Sequence, residues 1–285
     1  MSLMVAVASV KGAPGATTAA LALAAGWPGR GDGAPSVLVE ADGSGGSLSA
    51  WCGAGPEGSG AGGSGLVGLA AAVRYGAAGG PGAGLAAYAD ALVCGVLAVR
   101  APTAGPQAAA AVEVLEGSRF AVLRRDAGSA GVVVDVGRLG PAGSSVLSAV
   151  DVLVLVARGG VDAMGHVAGR IEEFQAQVPV VDLVVVGPSP YEPTEVEAAF
   201  GIGRVHAWPW DPAGVRGVVE GRHGFRRAGL PKAARALAED LRWRADTGQL
   251  TGPGDGLAPG EPPPGGAADD AIGLHLGAAN GGGAP

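Results

Sequence analysis

The residues best suited to chemistry stand near the start of the chain, in Ser9-Val10-Lys11-Gly12-Ala13-Pro14-Gly15-Ala16-Thr17-Thr18. A Val/Ala run precedes this segment, and an Ala/Leu run follows it at once. A glycine-containing turn between a strand and a helix presents backbone N–H groups to an anion, and the helix N-terminus adds its dipole. The chemistry is phosphate binding. Thr17 stands where a hydroxyl ligates Mg²⁺ in loops of this kind, and Thr18 where one reaches an inner phosphate. The residue before the first of these hydroxyls is usually a lysine that neutralises the outer phosphates. Here it is Ala16. The chain has only two lysines, Lys11 and Lys232, and one of them lies in this loop.

The elements that must position the loop are legible as short apolar runs at 3–9, 36–41, 92–99, 131–136, 151–157 and 180–187, with a weaker one at 203–208. Each is continuous rather than alternating, as in parallel strands covered on both faces. Helical stretches fall between and after them, at 17–26, 66–75, 107–116, 162–177, 193–200, 212–220 and 231–245. In the last, Ala234, Leu237, Ala238 and Leu241 form the apolar face. Alternation of this kind predicts an α/β fold with a doubly wound, mostly parallel sheet flanked by helices. Two segments break the pattern. Residues 53–65 hold seven glycines and read as a flexible surface loop. Residues 246–285, Gly/Pro-rich and acidic beyond 250, read as a disordered tail following a nucleotide-binding domain over 1–245.

The glycine-rich loop resembles the deviant Walker A loop of the ParA/MinD family of partitioning and positioning ATPases, Lys-Gly-Gly-x-Gly-Lys-Thr-Thr. Lys11 takes the place of that family's signature lysine. The resemblance continues along residues 1–245. Val37-Leu-Val-Glu-Ala-Asp42 is similar to the Asp-x-Asp segment, Val132-Val-Val-Asp135 to the Walker B strand, and Trp208-Pro-Trp-Asp211 to the late Pro-x-Asp loop. It implies a P-loop NTPase fold, with ATP or ADP and Mg²⁺ as ligands. Gly12, Ala13, Gly15, Ala16, Thr17 and Thr18 would contact the phosphates, and Pro209 and Asp211 would pack beside the base. Thr17, and Asp135 through water, would hold the metal. Asp42 would orient the attacking water, and Lys11 would reach the phosphates across a nucleotide-sandwich homodimer.

Three departures bear on activity. Ala16 removes a charge-assisted contact of roughly 1.5–3 kcal/mol per hydrogen bond, so hydrolysis is expected to be slow or absent. Ala13 and Pro14 stiffen the turn. Gly187 stands where the family often reads adenine with an asparagine; adenine is still preferred here over guanine.

The bulk composition sets outer limits. Glycine (54 residues) and proline (21) are abundant, yet 48% hydrophobic and 16% charged residues exclude wholesale disorder. A net charge of −7 argues against a protein that coats nucleic acid. Arg222-His-Gly-Phe-Arg-Arg227 is nevertheless a local basic cluster, so Arg222, Arg226 and Arg227 remain candidates for nonspecific DNA contact. Cys52 and Cys94 lack metal-ligand spacing and read as buried or incidental thiols. The four histidines have no carboxylate or cysteine partners at zinc-binding spacings in the sequence and read as surface or capping residues. No apolar run reaches the length of a membrane span, no charged leader precedes the apolar start, and no basic amphipathic helix closes the chain, so a cytoplasmic location without membrane contact is expected. Two functions of different class follow. One is an ATP–Mg²⁺-dependent dimerisation switch acting on cellular cargo. The other is a catalytically dead pseudo-ATPase scaffold that docks protein partners, as in polar localisation or secretion and pilus assembly.

Overall fold

Residues 3–11, 15–29, 36–52, 64–79, 84–126, 131–140, 145–221 and 229–250 are described by the computed structural model. The expected flexible loop (apart from Ser64 and Gly65), the tail beyond 250 and the arginines of 222–227 lie outside them, as do Gly12, Ala13 and Pro14.

The apolar runs fold as β1 (Met4–Ser9), β2 (Val37–Glu40), β5 (Val132–Arg138), β6 (Val152–Arg158), β7 (Val180–Val186) and β8 (Arg204–Trp208). Together with β3 (Asp90–Ala91) and β4 (Leu97–Val99) they form one eight-stranded sheet of order β3-β4-β2-β5-β1-β6-β7-β8. All pairings are parallel except β3 with β4.

Both faces of the central strands are covered, which is why their sequences do not alternate. Met4, Ala6 and Ala8 of β1 enter one core, with Leu66 and Leu69 of α3 (Gly65–Arg74), Leu115 of α4 (Gly105–Gly117) and Phe174. Val5 and Val7 enter the other, with Leu21 and Leu23 of α1 (Ala16–Gly26) and Leu237 and Leu241 of α10 (Gly229–Thr247). The expected apolar face of α10 is buried, and each such leucine contributes roughly 1.5–3 kcal/mol.

Two sequence expectations are corrected. The run 92–99 is not one strand. The N–H of Leu92 donates to the Val96 carbonyl (2.9 Å) and that of Gly95 to the Leu92 carbonyl (2.8 Å), so the chain turns and β3 pairs antiparallel with β4. A continuous apolar run conceals such a turn, because its residues are buried in either geometry. The helix expected over 162–177 divides into α6 (Val161–Ala168) and α7 (Ile171–Gln175). The break falls at Gly169-Arg170, where Arg170 leaves helical geometry (φ −131°, ψ 0°) and binds Glu173 and the Leu139 carbonyl. Short helices α2 (Leu48–Trp51) and α5 (Ala121–Asp126) have no counterpart in the sequence reading. The remaining helices, α8 (Pro193–Phe200) and α9 (Pro212–Val219), fall within a residue of their expected limits.

Cys52 and Cys94 form no disulfide. The Cys94 thiol hydrogen-bonded beside Cys52, together with burial, pushes the Cys52 thiol well above its ordinary value.

Candidate functional site

The C-terminal ends of β1, β2, β5 and β8 converge around the N-terminus of α1, the region where open α/β sheets bind ligands. A cavity of about 520 Å³ opens there. Its floor is the first turn of α1, from Gly15 to Ala19. Gly15 starts this helix at φ +95°, a left-handed conformation that glycine takes without strain. Among the described residues no side chain caps the helix, and no acid lies in its first turn. The first-turn N–H groups have no partner within the helix, and they give its end a partial positive charge. Such an end takes an anion.

Asp135 lies behind this floor. It is 1% exposed, and one of its oxygens, Oδ2, has no hydrogen-bond partner among the described residues. Oδ1 accepts from the Gly137 N–H (3.1 Å). Burial pushes its pKa up to about 7, a rise that the Thr17 hydroxyl and the Gly137 amide oppose. A buried carboxylate oxygen left over beside a threonine hydroxyl is an oxygen donor set for a hard divalent cation. Thr17 and Asp135 therefore fit the metal role that the resemblance implies for them.

Asp42, beyond the end of β2, also lines the cavity. Its Oδ1 accepts from the backbone N–H (2.8 Å) and hydroxyl (2.6 Å) of Ser44, which fixes the carboxylate on its loop. Its other oxygen packs on Gly137, where a Cβ would fall 2.0 Å from Oδ2. Gly137 also has φ +68°, so this approach needs glycine twice over. Two residues upstream, Glu40 has a different task. It is 1% exposed and accepts backbone N–H bonds from Ser47 (2.7 Å), Leu48 (2.9 Å) and Ala101 (3.0 Å). Burial pushes its pKa up while these amides oppose the rise. Glu40 braces the loop that carries Asp42, a role the sequence reading missed.

Trp208, Pro209, Trp210 and Asp211 add a further wall to the cavity. Trp210 is 59% exposed, and the Arg158 guanidinium stacks 3.9 Å from its ring centroid. Gly187 (φ +85°) packs beside Trp210, where a Cβ would stand in ordinary contact with the Trp210 Cβ at 3.7 Å. Asp211 reaches the cavity, but its carboxylate is engaged. Oδ1 caps α9 through the Gly214 N–H (2.8 Å), and Oδ2 accepts from Leu230 N–H at the start of α10 (3.0 Å). These amides hold its pKa below the ordinary carboxylate range. The depressed value means that this stabilisation is complete above the unfolded pKa and is lost as pH falls through the folded one. Asp211→Ala should lower stability by about 1–2 kcal/mol, the value of a lost N-cap. Urea denaturation at pH 7 checks this, and an unchanged midpoint would contradict it.

Lys11 does not line this cavity. Its side chain, half exposed, turns to α6, where Nζ donates to His166 Nε2 (2.6 Å) and lies 3.5 Å from Asp162 Oδ1. Thr17, Thr18, Asp42, Pro209 and Asp211 thus meet at one cavity, with Asp135 behind it, while Lys11 is held apart. Trp51 also borders the cavity, and so does Arg138, which the sequence reading missed. The signal for Arg138 in the sequence is its place three residues beyond Asp135, at the end of the same strand.

A second cluster lies away from this site. Ligand atoms of Asp182, His206 and Asp240 fall within 4.8 Å of one another. Burial alone would raise the Asp182 pKa, but His206 and Arg244 hold it low. Arg244 donates to both Asp182 oxygens and pairs with Asp240, which also pairs with Arg204. Two cations balance two acids, and the network ties α10 to β7 and β8.

The sheet order and the flanking helices match the fold of ParA and MinD ATPases of known structure. Among solved structures, the chain is similar to a ParA family ATPase from Chlorobium tepidum (TM-score 0.61, 16% identity, 84% of this chain and 98% of that one). It is also similar to the cell division ATPase MinD of Pyrococcus furiosus (TM-score 0.59, 19% identity, 85% and 99%). A third likeness is to the septum site-determining protein MinD of Pyrococcus horikoshii, complexed with Mg-ADP (TM-score 0.56, 16% identity, 87% and 98%). At such identities the likeness is one of fold. No protein-family model matches the chain, and no curated protein matches it in sequence. Among the described residues, no helix is long and apolar enough to cross a membrane.

Proposed function

We propose that this chain is a ParA/MinD-like nucleotide-binding protein, a switch whose dimerisation depends on ATP and Mg²⁺ and whose hydrolysis is slow. The observation that carries this reading is the uncapped N-terminus of α1, facing a cavity with the unpartnered oxygen of Asp135 behind Thr17. The α1 amides and Thr18 would hold phosphate oxygens, and the Pro209–Asp211 wall would flank the base. Thr17, and Asp135 through water, would hold Mg²⁺, which supplies charge neutralisation at the phosphates. Asp42 would orient water. Lys11 would leave α6 to reach the phosphates of a partner copy. The likeness to a MinD complexed with Mg-ADP supports the ligand class. The same reading treats residues 1–245 as the nucleotide-binding domain and 246–285 as a tail.

Calorimetry of nucleotide-free protein with ATP, with and without Mg²⁺, tests the binding, and light scattering tests the dimer. Binding that Lys11→Ala weakens, and dimers formed with ATP but not ADP, are expected. No binding at millimolar nucleotide would remove the proposal.

A second reading, a pseudo-ATPase scaffold, draws on Ala16 and on the engagement of Lys11 with its own α6. A scaffold would dimerise equally with and without nucleotide. The arginines at 222, 226 and 227 keep nonspecific DNA contact as a subsidiary idea. Salt-sensitive DNA retention lost in Arg226→Ala/Arg227→Ala would support it, and unchanged retention would remove it.

A further inference from the structure

A triphosphate in this cavity would meet a deficit of positive charge. Ala16 carries none, the Lys11 side chain is engaged by His166 and Asp162 of α6, and Asp42 and Asp135 add negative charge at or behind the cavity. Among the described residues that line the cavity, Arg138 is the sole cation. It ends β5, is exposed, and makes no ion pair or side-chain hydrogen bond with any described residue.

An irregularity in the sheet brings it there. Val7 of β1 pairs with Asp135, but the next residue, Ala8, pairs with Gly137, and Ser9 with Arg138. Val136 is therefore an extra residue in β5. Residues three apart on a regular strand face opposite sides of the sheet. The bulge resets that alternation, so Asp135 can meet Thr17 while Arg138 borders the cavity that Thr17 lines. The backbone around Arg138 is held firmly: the Leu139 N–H donates to the Ser9 carbonyl (2.8 Å), and the Ser9 hydroxyl to the Gly137 carbonyl (3.4 Å). An unpaired guanidinium on an anchored strand end, beside an uncapped helix N-terminus, suits bidentate capture of phosphate oxygens.

We propose that Arg138 is the phosphate-binding cation of this site and takes over the charge that a lysine at position 16 would supply. The proposal rests on the nucleotide-binding reading above and deepens it. The site would then recognise nucleoside di- and triphosphates through a side chain from β5 rather than from the loop before α1.

The test is calorimetry of the full chain with Mg-ATP and, as a phosphate-free probe, adenosine. Arg138→Ala should weaken Mg-ATP binding 10- to 100-fold and leave adenosine binding within about twofold. Arg138→Lys should recover part of the loss. In the Arg138→Ala background, Ala16→Lys should restore Mg-ATP affinity. Thermal unfolding of each variant reports on the fold. Arg138→Ala protein that binds Mg-ATP as tightly as the wild type would overturn the role of Arg138 and leave the nucleotide reading standing. An equal loss for ATP and adenosine would overturn it too, by pointing to a structural effect. A wild type that binds no Mg-ATP would overturn both.

Discussion

Replacing Asp135 with asparagine should make the nucleotide-free protein more stable at neutral pH and remove the Mg²⁺ dependence of ATP binding. The two effects have one cause. Asp135 is buried with an unpaired oxygen, and burial raises its pKa to about 7. In the unfolded chain the group titrates near its ordinary value of about 3.9. Between these values the folded protein holds a proton that the unfolded chain has released, so stability falls as pH rises through this window. At pH 7 and above, the buried charge costs on the order of 2–4 kcal/mol. Asparagine has nearly the same shape and no charge to bury, so the Asp135→Asn variant should keep its stability across that window. A divalent cation would repay the wild type's cost and would gain nothing from the variant. ATP affinity measured with and without Mg²⁺ should then differ at least 100-fold in the wild type and by less than threefold in Asp135→Asn. Denaturation at pH 5 and pH 8 checks the first effect. Equal pH slopes for both proteins, or a variant that retains the Mg²⁺ effect, would contradict this account.

Ala16→Lys should raise ATP turnover by about 10²-fold. Ala16 opens α1 and lines the cavity, so a lysine there would direct its ammonium to the bound phosphates. One or two charge-assisted hydrogen bonds of roughly 1.5–3 kcal/mol, strengthened as charge shifts to the leaving group, correspond to about that factor. Phosphate release under saturating Mg-ATP measures it. A gain would mean that Asp42 and the α1 turn are a working frame in which a loop lysine stabilises the transition state beyond what Arg138 supplies in binding. Unchanged turnover with intact ATP binding would favour the scaffold reading.

The fold was legible because its central strands are buried on both sides and so consist of unbroken Val, Leu and Ala. Where burial does not distinguish conformations, legibility stopped. Leu92 and Val96 are buried in a hairpin as they would be in a single strand, and only the bonds around Gly95 reveal the turn. At 169–170 the helical pattern persists in composition, while Arg170 is drawn to Glu173 and Leu139.

What the amino-acid sequence determined by itself was the local part of the site. A strand, a turn with Gly15 and an Ala/Leu helix specify a free helix N-terminus, because neighbouring residues set backbone dihedrals there. Thr17 and Thr18 follow from the same short stretch. Tertiary structure decided which charges reach it. Lys11 meets a histidine 155 residues away on α6, Glu40 spends its carboxylate on amides from two loops, and an extra residue in β5 turns Arg138 to the cavity. Long side chains go where packing and sheet register bring a partner within about 3 Å, and no local spacing encodes that distance.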